Sequence, residues 1–183
     1  IPEDNIVSLQ EEVEELSNQL DSLTSIVEIG DLKDGGIVFY IDESGQHGLI
    51  AAINDIGNYQ WGCYGDEVNG ADGFILGTGL QNSLEITASC TETPNAASVC
   101  LNYENQGYTD WYLPSKVELE ILVSILGEYT CFNYLTEMLN VYWSSTEREG
   151  SPSNGAWHIS GTSNTPGNYA KSNLRAVRPI RSF

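Results

Sequence analysis

The residues of this 183-residue chain that could do chemistry are four cysteines, two histidines, two adjacent serines and scattered acidic and amide side chains. Ser144 and Ser145 fall in a strand-like run, not in the Gly-x-Ser-x-Gly turn that exposes a nucleophile. His47 lies in a turn and His158 in a strand pattern, with no spacing that makes a triad or a zinc site. Cys63, Cys90, Cys100 and Cys131 form an even set with no Cys-x-x-Cys pair, which reads as disulfides rather than metal ligands. Cys90 and Cys100 flank a short Thr/Pro/Asn-rich connection and are expected to pair, which leaves Cys63 for Cys131. Four cysteines allow three connectivities, and the sequence excludes neither of the others. Asp66, Glu67, Asn69 and Asp72 offer hard oxygens suited to Ca²⁺, yet their spacing matches no EF-hand loop, so a solvated acidic loop is the reading adopted. No other cofactor is implied, and the chain reads as a non-enzyme. Binding groups are better represented. Glu147, Arg148, Asn154, Trp157, His158, Asn164, Asn168 and Tyr169 combine aromatic platforms with amide and charged hydrogen-bonding groups.

Charge narrows the partners. Acidic residues outnumber Lys and Arg by 26 to 7, a formal charge of -19, which argues against nucleic acid, heparin-like glycans and anionic membranes. No apolar run approaches the ~20 residues of a membrane-spanning helix.

Two kinds of element must position these groups. Near the start, Ile6, Leu9, Val13, Leu16, Leu20, Leu23 and Val27 alternate at spacings of three and four, which predicts a coiled-coil seam over residues 1–29. Its flanks are acidic, and no Lys or Arg precedes Lys33. A single such helix would expose a leucine stripe, so self-association is expected. β-Branched residues at a with Leu at d favour a dimer. Ile26 and the weakly charged positions beside the seam (Gln10, Ser17, Gln19, Thr24) lean towards a trimer, which is the reading adopted together with the family resemblance given below. Residues 30–36 are Gly-punctuated and read as a linker, and 37–183 as one globular domain.

Within that domain, strands are expected at 37–41, 49–53, 141–146, 156–160 and 173–180, with Gly/Ser/Asn/Pro loops at 147–155 and 161–172. Helices are expected at 80–89, 96–105 and 116–126, with a further short one over 129–140. The long segment 54–79 reads as an irregular loop anchored by Tyr59, Trp61 and Tyr64 and tied down by Cys63. The organising stretch is Gly107-Tyr108-Thr109-Asp110-Trp111-Tyr112-Leu113-Pro114-Ser115. Pro114 keeps Leu113 extended, and Ser115-x-x-Glu118 predicts a capping box that opens a buried helix.

This stretch, with Gly35-Gly36-Ile37-Val38-Phe39-Tyr40 and Gly48-Leu49-Ile50-Ala51-Ala52, Tyr142-Trp143-Ser144-Ser145-Thr146-Glu147, and Arg175-Ala176-Val177-Arg178, resembles the Legionella collagen-like adhesin C-terminal domain and Fibrobacter major paralogous domain family. The resemblance implies an α+β, C-type-lectin-like fold with a mixed or antiparallel sheet and flanking helices, extracellular display on a bacterial surface, and often a homotrimer. It also implies that ligand contacts lie in the loops around 147–155 and 161–172, which makes Glu147, Arg148, Asn154, Trp157, His158, Asn164, Asn168 and Tyr169 the candidate ligand contacts. Thr93-Pro94-Asn95 is only a partial echo of a Ca²⁺-lectin motif, and Trp-Asn-Asp does not occur. The expected function is an adhesion or recognition module, a lectin-like head on a coiled-coil stalk that binds a glycan or protein. The alternative is an assembly or capping subunit of a surface appendage. Because it starts at Ile1, the chain is expected to be a fragment or processed form of a larger protein.

Overall fold

The structure is a computed structural model that describes residues 9–17, 27–128 and 140–183. Residues 9–17 form helix α1, and every side chain in it is exposed. The remaining described elements, in order, are β1 (Leu32–Lys33), β2 (Gly36–Ile41), β3 (Gly48–Ala51), β4 (Asn58–Tyr59), α2 (Gly79–Ser89), α3 (Ala96–Leu101), α4 (Lys116–Glu128), β5 (Val141–Glu147), β6 (Gly155–Ser160), β7 (Thr165–Ala170), β8 (Arg175–Ala176) and β9 (Ile180–Ser182). This is an α+β arrangement of two sheets, ordered β1-β2-β3-β9 and β4-β8-β5-β6-β7. All strand pairs are antiparallel except β5 with β8.

Helix α4 fills the space between the sheets. Leu119, Leu122 and Val123 pack on Phe39 and Leu49 from the first sheet and on Tyr142, Ile159 and Ala176 from the second. Burying each such side chain stabilises by roughly 1.5–3 kcal/mol. The helix begins as its sequence predicts: the Ser115 amide donates to Glu118 Oε2 at 2.7 Å, and the Glu118 amide to Ser115 Oγ at 3.3 Å. The Gly77 amide also donates to the Glu118 carboxylate, at 2.8 Å. Gly79 runs so close that a Cβ would lie 2.3 Å from Glu118 Oε2. The other face of the second sheet carries Trp143 and Ala156, which meet Trp61, Ile86 and Val177. Tyr142 and Trp143 therefore point to opposite cores, as strand alternation requires.

Three expectations need correction. Cys90 pairs with Cys63, with their Cα atoms 4.9 Å apart, and not with Cys100. Cys90 is the extended C-cap of α2, whereas Cys100 lies in α3, fully buried in the Trp61–Trp143 core. The expected bridges Cys90–Cys100 and Cys63–Cys131 are thus both excluded; Cys131 itself lies outside the described residues, as does the expected 129–140 helix apart from Asn140. Second, 161–172 is not all loop but contains β7, paired with β6 along its whole length. Third, the expected 173–180 strand is two strands, β8 and β9, in different sheets.

Of the expected seam, Leu9, Val13 and Leu16 are exposed on α1, Ile6, Leu20 and Leu23 lie outside the described residues, and Val27 does not extend the seam but packs, with Ile29, beside Val38, Ile50 and Trp111 of the head. Leu32 and Lys33 pair with Ile37 and Gly36.

Candidate functional site

The most distinctive stretch of the sequence is spent on structure. Arg181 makes a bidentate contact with Asp110, Nε to Oδ1 at 2.7 Å and Nη2 to Oδ2 at 2.9 Å. Its guanidinium also lies 4.2 Å from the Tyr108 ring centroid. The Tyr108 hydroxyl donates to Asp34 at 2.8 Å, which ties the stretch to the start of the head. Trp111, Leu113, Ser115 and Glu118 are all fully buried. Arg178 pairs with Asp55 at 2.7 Å, and the Tyr142 hydroxyl donates to the same carboxylate at 2.9 Å. Burial, then the Asp55 charge, pushes the Tyr142 phenol up to about 12, which keeps it a proton donor.

A second buried charge shapes the surface opposite. Lys171 Nζ donates to a Glu147 oxygen and to the Asp66 carbonyl, the latter at 2.8 Å, and lies 4.5 Å from the Trp61 ring centroid. Glu147 also accepts from the Val68 amide at 2.9 Å. Burial pushes the Glu147 carboxyl up and the Lys171 ammonium down, each effect countered by the partner's charge and hydrogen bond. Together with the Cys63–Cys90 bridge, this holds the 63–68 turn against the β5–β6 loop, where the Gly65 amide donates to the Ser153 carbonyl at 2.7 Å.

Between these segments lies an open groove of about 290 Å³, lined by Tyr64, Arg148, Ser151, Asn154, Asn168 and Tyr169 among others. That is the small end of ligand-site sizes. Tyr64 and Tyr169 remain 53% and 51% exposed, so each presents part of its ring to the groove. The walls are fixed by backbone bonds: the Arg148 amide donates to the Gly155 carbonyl and the Lys171 amide to the Asn154 carbonyl, both at 3.0 Å. A Cβ on Gly155 would press on Arg148 Cδ at 3.1 Å, so the glycine lets the arginine stem lie across the strand. The arrangement provides flat apolar faces, amides and a cation; it provides no nucleophile with a base.

A family model described as the Lcl C-terminal domain matches residues 67–181, more than half of the chain. The chain belongs to the Lcl C-terminal domain family. This is a family of non-catalytic adhesin domains. No curated protein is similar enough to this chain to be matched. As an Lcl C-terminal domain, the chain has one group of described residues with metal-ligand proximity, Cys63, Cys90 and Glu92, and its two sulfurs are joined to each other. Asp66, Glu67, Asn69 and Asp72 are exposed and form no such group among the described residues. Cys100 is unpaired, but burial raises its thiol well above the ordinary value, away from nucleophilic use.

Of the eight contact residues read from the sequence, the Lcl domain brings four into the groove: Arg148, Asn154, Asn168 and Tyr169. Glu147 is committed to Lys171 and buried. His158 is buried beneath β7, its ring so close to Gly167 that a Cβ there would lie 2.6 Å from Nε2. Trp157 is half-buried, with Lys116 Nζ 4.7 Å from its ring centroid, and lines a smaller cleft with Asp72, Phe74 and Glu149. Asn164 sits at the β6–β7 turn with φ 45°. Sequence reasoning read Tyr64 only as an anchor and passed over Ser151, Lys171 and Arg175. The scarcity of cations, only seven in the chain, is the signal that could have drawn attention to the last two.

Proposed function

We propose that this chain is an extracellular adhesion module of a bacterial surface protein, a C-type-lectin-like head carried on an amino-terminal coiled coil that trimerises it. The head comprises residues 37–183 together with the 27–36 segment, whose Val27 and Ile29 pack on it and whose Leu32–Lys33 pairs with β2, and the stalk is the part of 1–29 that precedes this segment. Ligand is held in the groove lined by Tyr64, Arg148, Asn154, Asn168 and Tyr169. The observation that carries this reading is the pair of half-exposed tyrosines facing a groove whose walls are anchored by a disulfide and a buried ion pair. Exposed rings backed by rigid walls bind without a large ordering cost. Clustering three heads would raise weak single-site binding by avidity. Membership of an adhesin family supports the same reading.

The test is a glycan and protein-ligand screen with the intact chain, with and without Ca²⁺, repeated with Tyr64→Ala/Tyr169→Ala. Binding that this pair of substitutions abolishes while the folded state is retained is the expected result. Binding to neither class overturns the adhesion reading.

A second reading, an assembly or capping subunit, has one observation in its favour. Phe74, Ile75, Leu80 and Leu84 are 50%, 55%, 44% and 46% exposed, and the last two lie one turn apart on α2. Exposed apolar side chains so close in sequence suit protein contact better than sugar. Leu80→Glu/Leu84→Glu would then remove partner binding that the tyrosine substitutions leave intact.

A further inference from the structure

We propose that the groove selects a saccharide bearing a carboxylate, with Arg148 receiving the acid. The inference rests on the groove reading above and names the class of ligand. The argument begins from the allocation of charge. All seven Lys and Arg side chains lie in the described residues, in a chain with 26 acidic ones. Five meet a carboxylate: Lys33 with Asp34, Lys116 with Glu120, Lys171 with Glu147, Arg178 with Asp55 and Arg181 with Asp110. Among the described residues, only Arg148 and Arg175 have no carboxylate partner.

These two arginines converge on one tyrosine. Arg175 lies 4.4 Å from the Tyr169 ring centroid, and its Nε is buried with no hydrogen-bond partner. Arg148 lines the groove together with Tyr169. In a protein of charge -19, the Arg148 guanidinium in the groove, with Arg175 behind the Tyr169 ring, is where an acidic group would find a cation not already matched to a carboxylate. A guanidinium offers a planar fork that fits a carboxylate by two parallel hydrogen bonds. The tyrosine faces suit the apolar face of a sugar ring. Asn154 and Asn168, with the Ser151 hydroxyl, supply donors and acceptors for its hydroxyls.

The size of the site sets a limit. One free guanidinium in a groove of about 290 Å³ fits a single acidic ring, and the surrounding negative charge disfavours a polyanion. Hexuronic and sialic-type sugars share the carboxylate. The experiment separates them.

Amide chemical shifts of the intact chain are followed during titration with methyl β-D-glucoside, methyl β-D-glucuronide and the methyl α-glycoside of N-acetylneuraminic acid, with heparin as a polyanion control. The expected result is perturbation at Tyr64, Asn168 and Tyr169, with at least one acidic glycoside binding about tenfold more tightly than the neutral one. Arg148→Gln should bring the acidic ligand down to about the affinity that the same variant shows for the neutral one, abolishing the preference for the acid. Arg148→Lys should recover only part of the loss. Added salt should weaken the acidic ligand alone. Equal binding of neutral and acidic glycosides, an unchanged Arg148→Gln, or heparin binding more tightly than both acids overturns the inference and leaves a saccharide groove standing. No perturbation by any glycoside, with the protein folded, overturns the inference and the saccharide reading of the groove together.

Discussion

The ammonium of Lys171 and the carboxylate of Glu147 meet inside the protein, with 0% and 3% of their side-chain surfaces exposed. The pair joins two distant parts of the chain, because Lys171 also donates to the Asp66 carbonyl and Glu147 accepts from the Val68 amide. It therefore fixes the turn that carries Tyr64, one wall of the groove. Desolvating two charges costs more than a surface pair returns, so the role of the pair is to hold one geometry.

Removing one partner should be worse than removing both. Lys171→Met leaves the buried Glu147 without a counter-charge and should destabilise by about 3–5 kcal/mol. Lys171→Met/Glu147→Gln, with no charge left to bury, should recover part of that loss. Urea unfolding of the three proteins reads the difference. A double variant less stable than Lys171→Met would contradict the assignment of the pair.

His158 makes stability depend on pH in a definite direction. Burial, and next the charge of Arg175, hold its imidazole below the ordinary value of 6.5. Its Nδ1 is buried and has no hydrogen-bond partner. The unfolded chain therefore takes up the proton first as the pH falls past about 6.5. The stabilisation from neutral His158 is complete above that point and is lost as the pH drops towards the depressed native value. Glu118 and Glu147, whose carboxyls burial raises, slope the opposite way. The difference between wild type and His158→Leu isolates the histidine: thermal midpoints between about pH 7 and 5.5 should fall in wild type relative to the variant. Parallel curves would show that the ring is not protected from protonation.

Much of this framework was legible from residue spacing because its causes are local. Ser115 and Glu118 declare a cap within four residues. The run at 37–41 and the alternation of Tyr142 with Trp143 likewise report burial directly. β7 was hidden because Thr165-Pro166-Gly167-Asn168 has little strand character. As the edge strand of its sheet it tolerates Pro166, whose missing donor would face outward. β8 and β9 read as one strand because the chain from Arg175 to Ile180 is buried almost throughout while crossing from one sheet to the other. The groove was half legible: Arg148, Asn154, Asn168 and Tyr169 lie in segments marked by composition, but Tyr64 arrives from some 84 residues away through contacts that no periodicity encodes.

The disulfide is a direct check on the fold. A non-reducing peptide map should link Cys63 to Cys90; a link from Cys90 to Cys100 would refute the packing of α2 and α3. Cys100 should resist alkylation in the native protein and react only after unfolding, since its thiol is buried and raised. Cys63→Ser/Cys90→Ser opens a loop with a sequence separation of 27, and should cost about 3.5 kcal/mol by the loop-entropy relation. The same variant should weaken any ligand of the groove, because Tyr64 adjoins Cys63.

The proposed stalk can be tested apart from the head. In α1, Leu9, Val13 and Leu16 are 59%, 65% and 57% exposed within one chain, along a helix whose remaining described positions are polar or acidic. Covering such a stripe with identical copies is favourable by roughly 25 cal/mol per Å² of apolar surface removed from water. A charge in the seam would have to be buried or leave the copies apart. Leu16→Asp should therefore convert the oligomer to single chains at micromolar concentration in sedimentation equilibrium. The thermal unfolding of the head should stay unchanged, as none of its core clusters includes Leu16. A wild-type chain that sediments as a monomer would remove avidity from the proposal and leave the groove to act alone.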